Sequence, residues 1–167
     1  MQNKVVIVMN GSGGVGKDTL CEGVAKRFPV KIVSSVDPIK KIATMGGWKG
    51  EKNDAGRLLL VRLKQAFVDY NDLPLQYLKE EYESFLLGEE RVMFVHIREP
   101  QEIEKFKAEV PCKTILVTRE AAKKWNNNVD SGVFDYAYDY TFPNDEELDV
   151  SVEKFTGLIA NILEEKK

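Results

Sequence analysis

Histidine and cysteine are almost missing from this chain of 167 residues, which holds one His and two Cys. Cys21 and Cys112 are too few for a disulfide framework, and with His96 they lack the spacing of a zinc site. Two buried thiols in a reducing compartment are the expectation, which suits a cytoplasmic protein. Long apolar runs are missing as well, since none approaches the roughly 18 residues that cross a bilayer. The first apolar run, Val5–Met9, lacks the flanks of a signal peptide and leads straight into glycines, so it reads as a strand. No charge dominates either. A formal net charge of −3 argues against broad binding to nucleic acid or a membrane surface. Basic residues should instead matter where a few converge on one ligand. What is present, 43% hydrophobic and 31% charged residues, fits one globular domain over 1–167.

Short apolar runs alternate with longer helical patterns, which predicts an α/β fold with a parallel sheet. Strands are expected at Val5–Met9, Val30–Ser34, Arg91–Ile97, Lys113–Thr118 and, more weakly, Ala137–Phe142. Leu20, Val24 and Phe28 predict a helix ending before Pro29. Further helices should start near Asp37-Pro38, near Asp54, after Pro74 and near Pro100, and a last one should carry Leu148, Val152, Phe155, Ile159 and Ile162. The helix from Asp54 presents Leu59, Leu63, Ala66, Phe67 and Tyr70 on one face. This gives about five strands with a helical insertion between the second and third. Strand order is not legible, but right-handed crossovers would gather the loops after the strands at one edge, where ligands bind.

The segment Gly11-Ser12-Gly13-Gly14-Val15-Gly16-Lys17-Asp18-Thr19 fits G-x-x-x-x-G-K between a strand and a helix. Glycines let successive N–H groups curl around phosphate oxygens, and the free amides and dipole of the next helix add to the anion site. Lys17 supplies a mobile ammonium for the β- and γ-phosphates of ATP. Where the motif has Ser or Thr as a magnesium ligand, this chain has Asp18, followed by Thr19; either oxygen could serve Mg2+. Gly-Gly-Val-Gly-Lys is also locally similar to partition-type ATPases, but Ser12 stands where those carry a further lysine.

Gly16-Lys17-Asp18-Thr19 resembles the loop of phage-type deoxynucleoside monophosphate kinases, and the likeness extends along the chain. Asp37-Pro38-Ile39-Lys40 is similar to their D-P-(L/I)-K stretch, and the helix from Arg57 to their acceptor-side helix. His96-Ile97-Arg98 is similar to their D-V-R strand end, with His96 where the pattern has Asp. Val117-Thr118-Arg119 resembles their next strand, and Asn144-Asp145 a turn near the end of many nucleotide kinases. The resemblance implies a three-layer P-loop fold, an acceptor-binding helical region at about 36–90, and a lid at about 119–133. The stretch Glu120–Gly132 matches no pattern of that group.

Arg98, at a strand end on the ligand edge, would clamp an acceptor phosphate or pair with Glu99 or Glu102. Lys40 and Arg57 are further acceptor-phosphate candidates, or solvated helix charges. Asp37 could hold a sugar hydroxyl, act as a base, or only cap a helix. Arg119, with Lys123 and Lys124, would neutralise charge during transfer if it lies in a lid, or sit on an exposed helix. His96 is a core histidine or a site residue. Together these point to an ATP- and Mg2+-dependent phosphotransferase using Lys17, Arg98 and Arg119 on a small phosphorylated acceptor, a (deoxy)nucleoside monophosphate. A small-molecule alcohol kinase and an ATP-binding regulatory protein are the alternatives.

Overall fold

The computed structural model describes residues 2–125 and 132–165. Five parallel strands, β1 (Val5–Asn10), β2 (Val30–Ser34), β3 (Val92–His96), β4 (Lys113–Thr118) and β5 (Tyr140–Pro143), form one sheet in the order β2-β3-β1-β4-β5. The expected α/β fold with a five-stranded parallel sheet is what the chain adopts. Register places Met9 opposite His96, and His96 opposite Ser34, so three strands end level at the carboxyl edge.

Burial on both faces explains why β1 is apolar throughout. Val5, Ile7 and Met9 face one core layer with Phe94, Ile115 and Val117, under α1 (Lys17–Val24) and α6 (Leu148–Glu165). There Phe155 stacks on Phe94 at 6.1 Å and meets Phe142 edge-on at 5.1 Å. Val6 and Val8 face the other layer with Met93 and Val95. It is covered by α4 (Leu73–Leu87), through Leu78 and Phe85, and by α5 (Pro100–Glu109), through Ile103 and Phe106. Strands β1 and β3 are neighbours, yet β1 leads to α1 on one face and β3 to α5 on the other. Their carboxyl ends therefore diverge and leave a crevice, where ligands bind in open α/β sheets.

The insertion between β2 and β3 contains α2 (Asp37–Met45), α3 (Asp54–Asn71) and α4. Asp37 and Asp54 start their helices where the sequence predicts. The apolar face expected on α3 is only half-covered, with Leu59 38% and Tyr70 82% exposed; Gly56 is its one buried residue. The reason is placement, because α3 packs against α2 and α4 and leans over the crevice rather than lying on the sheet.

Boundaries differ too: β1 runs on to Asn10, β3 spans Val92–His96, α4 begins at Leu73, and two further shifts have a visible cause. Regular helix in α1 ends at Val24, not at Phe28. From there Lys26 N and Arg27 N bond three residues back, to Gly23 and Val24, and the chain tightens before Pro29. Strand β5 begins at Tyr140 rather than Ala137. The Asp139 carboxylate accepts from Thr114 N at 2.8 Å and Asp139 N donates to Thr114 Oγ1 at 2.9 Å, replacing ladder pairing by a side-chain clamp. Of the expected lid at 119–133, residues 120–125 form a 3-10 helix and residues 126–131 lie outside the described residues.

Gly23 marks the closest approach of α1 to α6, since a Cβ there would lie 2.4 Å from Val152 Cγ1. Gly23→Ala is expected to cost about 1–3 kcal/mol of overpacking, partly offset by about 1 kcal/mol of helix propensity. Adding Val152→Ala should make the double variant less destabilised than the sum of the singles in urea unfolding; simple additivity would disprove the close contact.

Candidate functional site

The G-x-x-x-x-G-K segment crosses from β1 into α1 in a conformation that glycine makes possible. Gly11 has φ +152°, and a Cβ there would meet the Val117 carbonyl oxygen at 2.5 Å. Gly16 has φ +87°, and its Cβ would meet Asn144 Nδ2 at 2.6 Å. A side chain at either position would be strained and would clash. Gly13 and Gly14 are exposed, and a Cβ on either meets nothing within 4 Å, so the crest of the loop is open.

Two polar fastenings hold the loop. Asn10, buried at the end of β1, accepts from Gly11 N at 2.9 Å and donates to the Arg98 carbonyl at 2.8 Å. Asn144 Nδ2 donates to the Val15 carbonyl at 2.8 Å, while Asn144 N donates to the Thr118 carbonyl at 2.7 Å. Neighbouring Asp145 accepts from Glu120 N at 2.7 Å. Sequence reasoning found Asn144-Asp145 only as a similar turn; its role in bracing the loop follows from the contacts.

A cavity of about 300 Å³ opens beside the loop, in the crevice between β1 and β3. Lys17, His96 and Arg98 line it with Ser34 and Ser35 after β2, and α3 contributes Leu60, Val61 and Lys64. Lys17 Nζ folds back to donate to the Gly11 carbonyl. Ser12 Oγ and His96 Nε2 are buried and, among the described residues, have no hydrogen-bond partner. Such orphaned atoms are costly unless a ligand satisfies them. His96 Nε2 lies 3.7 Å from Asp18 Oδ1, whose side chain is 86% exposed. Burial lowers the His96 pKa, and Lys17 adds to that against the opposing pull of Asp18, so the ring is neutral at pH 7.

The lower wall is an ion cluster that the sequence did not disclose. Lys64 Nζ lies 2.8 Å from both Glu99 Oε2 and Glu102 Oε1. Burial disfavours its ammonium, but the hydrogen bonds to Glu102 and Glu99 outweigh that and raise its pKa. Burial also opposes both carboxylates. At Glu99 the Lys64 hydrogen bond prevails and the pKa falls, whereas at Glu102 burial prevails, with Glu99 adding to it, and the pKa rises.

The remaining expected residues fall elsewhere. Asp18 and Thr19 are exposed in the first turn of α1, two oxygen donors beside the loop. Asp37 does not line the cavity; its carboxylate accepts from Ser34 N at 2.8 Å and from the Tyr77 hydroxyl at 3.2 Å. Lys40 and Arg57 are exposed on α2 and α3, outside the lining. Arg119 lies across β1 from Arg98, in a separate small pocket with Ser12, Val15 and Phe134.

No protein-family model matches the chain, and no curated protein sequence matches it. Solved structures do. TT1252 from Thermus thermophilus is 16% identical, with 98% of each chain covered and a TM-score of 0.56. Shikimate kinase from Aquifex aeolicus is 13% identical over 95% of this chain and 99% of its own, with a TM-score of 0.52. Shikimate kinase from Bacteroides thetaiotaomicron is 17% identical over 96% and 98%, with a TM-score of 0.50. The fold is that of a P-loop kinase. Within that P-loop kinase fold, the loop, Lys17 and the cavity all lie at the carboxyl edge of the sheet.

Removing the Asn144 amide leaves the Val15 carbonyl without its donor. Asn144→Ala should cost about 1–3 kcal/mol of stability, the penalty of a carbonyl left unsatisfied. Urea unfolding of variant and parent checks this, and unchanged stability would show that the loop holds its shape without Asn144.

Proposed function

We propose that the chain is an ATP- and Mg2+-dependent phosphotransferase whose acceptor is a small phosphorylated molecule, a (deoxy)nucleoside monophosphate. One observation carries the reading: Lys17 of the phosphate loop and Arg98 of the β3 end share a single cavity with an apolar wall. A donor cradle and a second cation in one crevice are what transfer between two phosphates requires.

The residues present fit the nucleotide and its metal. Ser12 Oγ is an orphaned donor within the loop, and the open crest over Gly13 and Gly14 leaves phosphates room. Among the described residues no three His, Cys, Asp or Glu side chains gather as a metal cage. That suits magnesium held largely by phosphates and water, with Asp18 or Thr19 as the protein oxygen. Bound MgATP would supply the transferable phosphoryl group. Lys17 would then neutralise charge on the donor, and Arg98 would orient the acceptor phosphate through its planar fork. A phosphate acceptor is already ionised at pH 7 and asks for no strong base. An alcohol acceptor would want a carboxylate at its hydroxyl, and Asp37, the expected candidate, is engaged by Ser34 and Tyr77 outside the cavity.

The test is ADP release with ATP and magnesium against a panel of nucleoside monophosphates and small hydroxylated metabolites. Acceptor-dependent turnover is expected with a monophosphate, falling by roughly 10²-fold or more in Lys17→Ala. Arg98→Ala should raise the acceptor KM while leaving ATP affinity in place. Turnover with alcohols alone would replace the acceptor class, and ATP binding without any turnover would make the protein a regulatory binder.

A further inference from the structure

The edge of the sheet opposite the phosphate loop carries its own pair of cations. Arg27 follows α1, Phe28 comes just before β2, and Arg91 immediately precedes β3. The Arg27 guanidinium carbon is 5.3 Å from the Phe28 ring centroid and that of Arg91 is 5.4 Å away. With Asn3, Leu163 and Glu164 these residues line a cavity of about 160 Å³. It lies at the amino ends of the strands, the full length of β1 and β3 away from Lys17 and Arg98.

Several cations of this acidic chain take carboxylate partners. Lys31 pairs with Glu81 at 2.7 Å, Lys64 with two glutamates, Lys79 with Glu109 at 3.2 Å and Lys105 with Asp72 at 3.1 Å. Arg27 and Arg91 do not. Among the described residues neither has a carboxylate oxygen within 4.0 Å, although Glu164 lines the same cavity. Arg91 is held in place nonetheless: its Nε donates to the Asn3 carbonyl at 3.4 Å and its amide to the Pro29 carbonyl at 2.8 Å. Asn3 is fixed in turn by its Nδ2 bond to the Leu163 carbonyl at 3.1 Å. A guanidinium has five N–H donors. The terminal donors of both arginines therefore have no protein acceptor among the described residues, and they flank a recess large enough for a small ligand.

Two like charges on one ring repel each other, and an anion held between them converts that repulsion into two attractions. We propose that the recess between Arg27, Phe28 and Arg91 is a second anion-binding site, for a phosphate dianion either free or as a phosphomonoester. Two planar forks match a tetrahedral dianion bidentately. Glu164, in the same recess, raises the charge an incoming anion must carry to be held there. The site is separate from the phosphate loop and does not rest on the phosphotransfer reading.

NMR of the arginine Nε–Hε groups and of the backbone amides tests it, with inorganic phosphate and ribose 5-phosphate titrated at constant ionic strength. Saturable shifts at Arg27 and Arg91 are expected, weakened roughly tenfold in Arg91→Lys, which keeps the charge but loses the fork. The accompanying amide shifts at Asn3 and Phe28 should vanish in Arg27→Gln combined with Arg91→Lys, a pair that avoids truncating either side chain. Tighter binding of ribose 5-phosphate identifies a phosphomonoester ligand, and tighter inorganic phosphate the free ion. A response matched by chloride, or confined to Gly11–Thr19, overturns the proposal.

Discussion

The site depends on how closely the phosphate loop passes its neighbouring strand. At Gly11 the backbone runs against the Val117 carbonyl with no room for a Cβ, and this proximity lets the loop turn at the end of a strand buried on both faces. One buried amide then organises what surrounds it. Asn10 accepts from Gly11 N and donates both to the Arg98 carbonyl and to the Tyr138 hydroxyl, the last at 2.9 Å. Tyr138 passes its own proton to the Val133 carbonyl at 2.6 Å. The start of the loop, the segment bearing Arg98 and the chain just after the expected lid are thus registered to one another through a single side chain. Because a buried amide left without partners is expensive, these four groups hold a common geometry or none.

The opposite wall is built on different physics. Helix α3 has little apolar burial; besides its packing on α2 and α4, Lys64 ties it to Glu99 and Glu102 beside the N-terminus of α5. Burial disfavours ionisation of both carboxylates, and the Lys64 hydrogen bond prevails over it at Glu99 but not at Glu102. Such a cluster contributes less to stability than to geometry, since desolvation consumes most of the attraction. Leu60 and Val61 of the same helix line the cavity beside it.

What the sequence made legible follows the range of the interactions. The strands Val30–Ser34 and Lys113–Thr118 and the starts of α2 and α3 rest on local patterns and caps, and all four coincide with the structure. The phosphate loop was legible because backbone chemistry demands glycine at fixed spacing. Arg98 was expected at the ligand edge from its place at a strand end, and it lines the cavity there. Lys64 was not, because nothing near it in the chain reveals partners 35 and 38 residues away. Asp139 likewise shortens β5 through contacts with Thr114 across 25 residues of sequence. The face of α3 misled for a related reason: an amphipathic pattern reports that a helix has two sides, not that both layers of the sheet have room for it.

His96 and Asp18 set how charge is arranged around the crevice. Asp18 stands in the first turn of α1, and its carboxylate lies 3.7 Å from the His96 ring. A helix N-terminus favours an acidic residue in its first turn. An exposed carboxylate there can also meet a solvated cation without the desolvation that a buried strand end would impose. Burial lowers the His96 pKa against the opposing pull of Asp18. The crevice therefore has an exposed carboxylate at the solvent side of the loop and, 3.7 Å from it, a buried ring nitrogen with no hydrogen-bond partner among the described residues. With Lys17 and Arg98 in the same lining, the interior is left cationic at the place where two phosphates would have to approach each other.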